Sequence, residues 1–510
     1  MKLKNTPNIK KFQPKLILIS FYKNQFGNIC KNHLTNFESQ LKAWQKNIIA
    51  ITALIFFSFD EAYTKSNEEK ITTNIVISSA EKFYPKILSS YEKVKATEGS
   101  YLASQGFFDI KLNQELYNKS RGYYDGKTYD VNLEKELGFM GSKVYGGYRK
   151  SYGNFAIYDG NKVTNNEGEY RIGGKVSLLK DRGIDSARLG VLLAQLGVEE
   201  SKIQLELMKR TIQRDAIKSY WKWVVSGKIY QIYKNLYDFS LTRQNQLEQR
   251  MAKGDVAQII VEENKKNILR RKNALISSQQ EFKKNAINLS LYLRDENGSP
   301  KIPEENNIPE IEQEITAHKI DSSKDIADDL IRRPEIKLIE IQKKQKEGQS
   351  KYAKNLLQPK LDLEFEASKD EGKETLAKSQ SENLVNLKFS SPLQFREAKG
   401  KIASYDAELR AISFEKQLLQ DQIKNEIETI LINVNSLAEI YKNLTKEAEL
   451  AELLEKSERE KFKHGASNFF LVNLREQDTA ITKASKAEVL EKYYTTIADY
   501  ELAIFSANQI

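Results

Sequence analysis

Apolar residues recur at mixed spacings of three and four over two long stretches, residues 185–250 and 396–463. Leu189, Leu192 and Leu196 show this spacing in the first stretch. The pattern is typical of an amphipathic α-helix, and at about 1.5 Å per residue each helix would be near 100 Å long. A helix of this kind is stabilised mainly by packing its apolar face. The chain must therefore also contain other helices against which this face packs.

Shorter helical patterns flank each long stretch. Residues 79–106 and 257–293 accompany the first long stretch, and residues 326–357 and 468–507 accompany the second. Each half of the chain therefore predicts one long helix packed beside two shorter helices that are stacked end to end.

Alternation of apolar and polar residues replaces the helical period at four places. It predicts strands at about 107–117, 169–179, 360–368 and 385–393. Each is roughly as long as a tilted strand that crosses an outer membrane, about 9–11 residues; an ordinary soluble β-hairpin is the alternative. Four strands cannot close a barrel, and an open edge is not viable in lipid. Membrane strands would therefore require several copies of the chain.

The two halves form an internal repeat. Pro85 corresponds to Pro334 at an offset of 249 residues, and Gly254 corresponds to Gly465 at an offset of 211. The difference is an insertion of 38 residues within about 120–160 of the first half. Tyrosine and glycine are frequent there, and we expect an added hairpin or an outer loop.

The repeats are preceded by a leader, residues 1–62. Its apolar segment 48–59 resembles an export signal, because a spanning helix needs roughly 20 residues; an anchor or an amphipathic arm is the alternative. The first repeat spans 75–293, a linker rich in proline and asparagine spans 294–325, and the second repeat spans 326–510.

Composition excludes a polytopic helical membrane protein, since 29% of the residues are charged. The net charge of +10 permits nucleic-acid binding, but lysines and glutamates are interspersed and no basic run is interleaved with aromatics. Solvated helix surfaces are therefore expected, and nucleic acid is not. The single cysteine, Cys30, lies in the leader, so the mature chain would contain no disulfide.

No motif indicates an enzyme, a cofactor or a metal site. The three histidines are isolated in sequence, and His464 has no neighbouring cluster with metal-ligand spacing. Trp221 and Trp223 lie in the middle of the first long helix, where large aromatic residues more often pack between helices than bind a substrate.

Two repeats of helix, strand, strand, long helix, glycine turn and helix resemble the TolC-like family of outer-membrane efflux and secretion channels. RRPEIKLIEIQ at 332–342, SSPLQFREAKG at 390–400 and KFKHGASNFFL at 461–471 carry the resemblance. It implies a mainly α fold with membrane β-strands. Three copies would form a 12-stranded β-barrel in the outer membrane, continued by an α-helical barrel across the periplasm.

The resemblance also implies a function and partners. The homotrimer would be a passive conduit of a tripartite efflux pump or a type I secretion system. Its partners would be outer-membrane lipid, a periplasmic adaptor (membrane fusion) protein and an inner-membrane pump. A structural coiled-coil protein of the cell envelope is the alternative, which explains the helices but not the paired strands.

On this interpretation, Gly254 and Gly465 reverse the chain at the periplasmic tip. Acidic residues follow the first turn, and three copies would place a ring of carboxylates that favours cations. FFLVN follows the second turn instead, which suggests packing against the adaptor. Helix-end charges that complement the helix dipole are the alternative. The candidate aperture residues, with their salt-bridge partners, are Asp255, Glu262, Glu263, Arg250 and Arg475.

Overall fold

The structure, a computed structural model, describes residues 70–122, 124–156, 162–310, 333–373 and 381–505. The chain divides into two units, residues 1–69 and 70–510, and all the described residues belong to the second. The predicted leader with its apolar segment 48–59, and residues 311–325 of the predicted linker, lie outside the described residues.

Two very long helices and five shorter ones are seen among the described residues. They are α1 (Thr73–Phe83), α2 (Pro85–Gln105), α3 (Ser186–Ala252), α4 (Gln258–Leu289), α5 (Pro334–Asn355), α6 (Arg396–Lys463) and α7 (Phe469–Ile504). Helix α3 contacts α1, α2, α4, α5 and α7, whereas α6 contacts α5 and α7. Each long helix thus buries its apolar residues against shorter neighbours.

Local chemistry fixes several helix starts. The Asp185 side chain accepts a hydrogen bond from the backbone N–H of Arg188 (2.8 Å) at the start of α3, as is usual for an N-cap. Pro85 and Pro334 are the first residues of α2 and α5, where the missing N–H is harmless. The single helix predicted at 79–106 was wrong, because Pro85 ends the hydrogen bonding of α1 and two helices result.

The strands form one antiparallel sheet in the order β1-β2-β3-β4-β5-β6. They are β1 (Ile110–Lys119), β2 (Gly126–Glu136), β3 (Lys143–Gly153), β4 (Gly168–Ser177), β5 (Lys360–Glu371) and β6 (Ser381–Ser390). The four predicted strands are joined by two more, because the insertion contributes β2 and β3; it forms the expected hairpin and not an outer loop.

Strand ends also differ from the prediction. Phe107 and Phe108 belong to a 3₁₀ turn, Gly106–Phe108, that joins α2 to β1, so the strand begins later than residue 107. Strand β6 ends at Ser390 and not at residue 393. Pro392 follows, and proline cannot donate to a sheet ladder.

The largest apolar cluster lies where α1, α3 and α4 meet. Trp223 is fully buried in it, and Trp221 stacks on Tyr494 of α7 with ring centroids 3.8 Å apart. Both tryptophans therefore pack between helices. No helix among the described residues has both the length and the apolar content needed to cross a membrane.

Substitution of Gly227 tests the packing of α3. A Cβ at Gly227 would contact the buried Ile308 and lie 3.0 Å from the Phe282 ring, so Gly227→Ala should lower the free energy of unfolding by roughly 1–3 kcal/mol. Gly197→Ala in the same helix is the control, because nothing lies within 4 Å of its Cβ. It should raise stability by about 0.5–1 kcal/mol. Denaturant unfolding of the purified variants measures both, and equal effects would contradict the packing described.

Candidate functional site

The turn between α3 and α4 has a Schellman hydrogen-bond pattern. The N–H of Gly254 donates to the carbonyl of Met251 (2.9 Å), and the N–H of Asp255 donates to the carbonyl of Arg250 (3.0 Å). Gly254 has φ of 79°, a left-handed conformation that glycine adopts without steric cost. No heavy atom lies within 4 Å of a Cβ built there, so only the backbone conformation requires glycine.

The turn between α6 and α7 repeats this geometry. The N–H of Gly465 donates to the carbonyl of Phe462 (3.2 Å), and the N–H of Ala466 donates to the carbonyl of Lys461 (2.8 Å). Gly465 has φ of 75°, and His464 is the C-cap residue of α6. The two predicted tip turns are therefore built in the same way.

One apolar cluster lies beneath both turns. Leu247, Val261 and Phe469 are buried in it, with Phe462 packed against them. These residues come from α3, α4, α7 and α6 respectively. The FFLVN segment after the second turn thus begins with a core residue, and the two turns share one end of the helical body.

The outer surface of this end is partly apolar. Ile259 of α4 is 72% exposed, and Phe470 and Leu474 of α7 are 62% and 61% exposed. Ile259 and Phe470 are again 211 residues apart, so corresponding positions after the two turns both present an apolar side chain to solvent.

The predicted acidic residues lie near the first turn. Asp255 is exposed, Glu262 pairs with Lys265 (2.9 Å), and Glu263 pairs with Lys266 (3.5 Å). Both pairs are local contacts along one helix, which contribute little to stability at a surface. Both glutamates are thus paired within α4.

The predicted basic partners lie elsewhere. Arg250 stacks over the ring of Phe462 at 5.7 Å, which links the ends of α3 and α6. Arg475 is half-buried on α7. Within the described part of the chain, no ion pair joins Arg250 or Arg475 to the three acids, so the aperture role of all five residues stays a prediction.

A buried cluster of charges joins the four helices close to the turns. Glu476 of α7 is 1% exposed. It pairs with Arg243 of α3, with Arg271 of α4 (3.0 Å) and with Arg459 of α6 (2.9 Å). The side-chain oxygen of Asn473 accepts from Arg243 (2.8 Å) and Arg271 (3.0 Å). Each of the four helices thus contributes a group to one network, in which α3, α4 and α7 are joined by hydrogen bonds and Arg459 of α6 is joined by ion pairing.

The network is sensitive to the loss of one partner. Burial lowers the pKa of the Arg271 guanidinium, and Glu476 opposes that shift. Removal of one member of a buried ion pair leaves an uncompensated charge, which typically costs 3–5 kcal/mol. Sequence reasoning missed this cluster because its members are up to 233 residues apart; polar residues at buried helical positions were the only local signal.

The sheet has two chemically different faces. Residues directly opposite each other in antiparallel strands share a face, so the observed pairing separates the two sets. One face is mainly apolar and largely exposed, and includes Ile110, Leu112, Leu116, Tyr129, Val131, Leu133, Ile172, Phe365, Val385, Leu387 and Phe389. The same face also carries Lys127, Lys135, Lys150 and Lys369. Exposed apolar side chains in this number indicate a surface that meets an apolar environment.

The opposite face is polar and ion-paired. Asp130 of β2 contacts Arg149 of β3 (3.0 Å) and Arg171 of β4 (2.6 Å). Lys388 of β6 pairs with Glu364 of β5 (2.7 Å). Several of the carboxylates are more enclosed than the apolar side chains of the other face. The sheet therefore has one mainly apolar face and one charged, ion-paired face.

No protein-family model matches the sequence of this chain, and no curated protein matches it. The fold, in contrast, is similar to those of solved outer-membrane channels.

Three of these structures illustrate the likeness. VceC from Vibrio cholerae has a TM-score of 0.61 and 12% identity, over 85% of this chain and 95% of that one. CmeC from Campylobacter jejuni has a TM-score of 0.60 and 11% identity, over 87% and 90%. MtrE from Neisseria gonorrhoeae, in its open state, has a TM-score of 0.60 and 12% identity, over 85% and 88%. The resemblance to the TolC-like channels is thus confirmed for the fold.

Glu476→Gln tests the buried charge cluster. The neutral amide leaves the three arginines without their shared carboxylate, so the free energy of unfolding should fall by about 3–5 kcal/mol. Glu460→Gln is the matched control, since Glu460 lies on the surface of α6 and, among the described residues, pairs only with Lys463 one turn away; it should have little effect. Thermal or denaturant unfolding of the purified protein measures both. Similar small losses in the two variants would contradict the role given to the cluster.

Proposed function

We propose that this chain is the subunit of an outer-membrane channel that extends into the periplasm. Three copies form a passive conduit for export in a tripartite efflux pump or a type I secretion system. Its partners are a periplasmic adaptor, an inner-membrane pump and outer-membrane lipid. No catalysis, cofactor or nucleic acid has a part in this proposal.

The two-faced sheet is the observation that carries the proposal. Its strands are 10 to 12 residues long, and about 9–11 residues suffice for a tilted strand to cross a bilayer. In water, so many exposed apolar side chains on one face would promote aggregation, whereas in lipid the same face is stabilised. The charged face would then line the lumen.

Tyrosines support an orientation for the sheet. Tyr129, Tyr148, Tyr152 and Tyr170 lie on the apolar face, toward the strand ends farthest from the helices. The rings of Tyr129 and Tyr152 are 6.3 Å apart, and those of Tyr148 and Tyr170 are 5.0 Å apart. Girdles of aromatic residues mark the interfaces of membrane barrels, so these tyrosines fit the outer surface of the membrane and leave the helices on the periplasmic side.

The helical end that carries the two glycine turns is the site we propose for binding of the adaptor. Both glycine turns lie at the end of α3 and α6 that is remote from the sheet, and exposed Ile259, Phe470 and Leu474 surround them. Exposed apolar patches often mark contacts between proteins. We infer that the adaptor binds this end, and that Asp255 faces the axis of the conduit there.

The envelope coiled-coil alternative is less consistent with these observations. It would use the long helices but leaves the apolar face of the sheet without a partner. The channel interpretation gives that face a partner in lipid and the opposite face a partner in water.

Cell fractionation tests the proposal. The chain should occur in the outer-membrane fraction, and chemical crosslinking of intact cells should give a species of three copies. Occurrence only in the inner membrane or the cytosol, with no trimer on crosslinking, would rule out the channel function.

Conductance measurements test the aperture. If Asp255 lines the constriction, Asp255→Asn removes three carboxylates from one ring, so the cation-to-anion permeability ratio in a planar bilayer should fall. Asp238→Asn is the matched control, because Asp238 is also exposed but lies further along α3 from the turn. An unchanged ratio for Asp255→Asn would exclude it from the constriction, whatever the function of the channel.

A further inference from the structure

The inserted segment forms two complete strands inside the sheet and not an appendage to it. Strand β2 pairs with β1 along its whole length, from Ile110 opposite Lys135 to Lys119 opposite Gly126. Strand β3 pairs with β2 on one side and with β4 on the other. The hairpin therefore separates β1 from β4, which the four-strand pattern would place next to each other.

Both faces of the hairpin continue the faces of the sheet. On the apolar side, Tyr129, Val131, Leu133 and Val144 are 38% to 53% exposed. A loop or a plug inside the lumen would not need an apolar face that matches the membrane-facing side of its neighbours. The hairpin instead continues the mainly apolar face of its neighbours, on which it also carries Lys127, Lys135 and Lys150.

Polar contacts hold the hairpin to the strands beyond it. Asp130 of β2 contacts Arg171 of β4 at 2.6 Å, across the intervening strand. Arg149 of β3 lies 3.7 Å from Glu169 of β4, and the hydroxyl of Tyr145 in β3 donates to Glu366 of β5 (2.6 Å). These contacts all lie on the polar face and reach β4 and β5, so β2 and β3 are integrated in the sheet.

The edges of the sheet are complementary. Among the described strands, β1 pairs only with β2, and β6 pairs only with β5. Strand β1 leads away from the helices and β6 returns to them, so β6 of one copy and β1 of the next would be antiparallel, as are all other pairs. Both edge strands also carry apolar residues on the same face, such as Leu112 and Leu387.

We propose that β1 of one copy pairs with β6 of the next, so that three copies close a wall of eighteen strands, six from each chain. The number rests on the homotrimer of the proposed function; the edge pairing itself follows from the sheet. Barrel diameter grows roughly linearly with strand number, and barrels of 16–18 strands leave an aqueous channel. The wall would be about 1.5 times as wide as one of twelve strands, so the outer exit admits bulkier cargo and size selection falls to the helical tip.

Pairs of introduced cysteines distinguish a wall that includes β2 and β3 from a wall in which β1 pairs directly with β4. Leu112, Leu133, Gly146 and Ile172 form one row across β1 to β4, and the only native cysteine, Cys30, is replaced by serine. In cells under oxidising conditions, Leu112→Cys should crosslink with Leu133→Cys within one chain. Leu112→Cys should not crosslink with Ile172→Cys, since three strand spacings are about 14 Å and a disulfide spans at most about 7 Å between Cα atoms.

A deletion variant supplies the positive control. Removal of residues 126–153 takes out β2, β3 and their turn, and leaves β1 and β4 antiparallel with Leu112 and Ile172 on the same face. In this variant the Leu112→Cys and Ile172→Cys pair should form. If that pair forms in the full chain and the Leu112→Cys and Leu133→Cys pair does not, the hairpin lies outside the wall and the proposal is wrong.

A second set of cysteine pairs tests the contact between β1 of one copy and β6 of the next. Leu112→Cys is combined in turn with cysteine at Asn383, Val385, Leu387 or Phe389 of β6, and at least one combination should give covalent trimers on a denaturing gel. Electron cryomicroscopy of the purified oligomer should then show eighteen strands. Twelve strands, or no crosslink between copies at any position, would overturn the proposal. Failure of the proposed function would give a different result. The protein would be absent from the outer membrane, while the Leu112→Cys and Leu133→Cys pair would still form within one chain.

Discussion

In the hydrocarbon region of a membrane, every backbone amide and carbonyl must find a hydrogen-bond partner within the protein. The sheet meets this condition between its six strands and leaves the outer edges of β1 and β6 for partners outside the chain. An exposed apolar face and open edges occur on the same sheet. Under the proposed function, further copies would pair these edges, lipid would cover the apolar face, and water would lie on the ion-paired side.

The helical body meets a different constraint. The apolar residues of the 67- and 68-residue helices recur at every turn, so this pattern alone would allow the shorter helices to pack on them in more than one register. The Glu476 cluster, in contrast, occurs at one position along the helices and is not repeated at each turn. Arg243, Arg271 and Arg459 reach one carboxylate from three helices, and a shift of one turn, about 5.4 Å, would break these pairs. A buried ion pair can add little net stability and still favour one register, and the Glu476 cluster joins the four helices close to the two glycine turns.

Much of this fold follows from patterns within short windows of sequence. Helix α6 was predicted at its observed ends, because its apolar period is uninterrupted by proline and a glycine turn follows. The alternation of Leu361, Leu363 and Phe365 likewise predicts β5. The glycine turns could be located because a left-handed residue after a helix leaves a direct trace in the sequence.

Features that depend on distant residues could not be predicted in this way. Strand β3 contains Gly146 and Gly147 among tyrosines and lysines, so its own alternation is weak, and pairing with β2 and β4 decides its structure. Glu476 gives no sign in the sequence that three arginines from other helices will surround it. The predicted aperture depends on contacts between copies, and such contacts are set by surfaces from distant parts of the chain and not by a local sequence pattern.

Accessibility along β2 is the most direct test of the claim that the sheet separates lipid from water. Single nitroxide labels at consecutive positions from residue 127 to 135, in protein reconstituted into bilayers, report collisions with oxygen from the lipid and with a nickel chelate from water. Labels at Tyr129, Val131 and Leu133 should show high oxygen accessibility, and labels at Thr128, Asp130 and Asn132 should show high nickel accessibility, with a period of two. Uniform access of the nickel chelate at all positions would contradict a membrane wall.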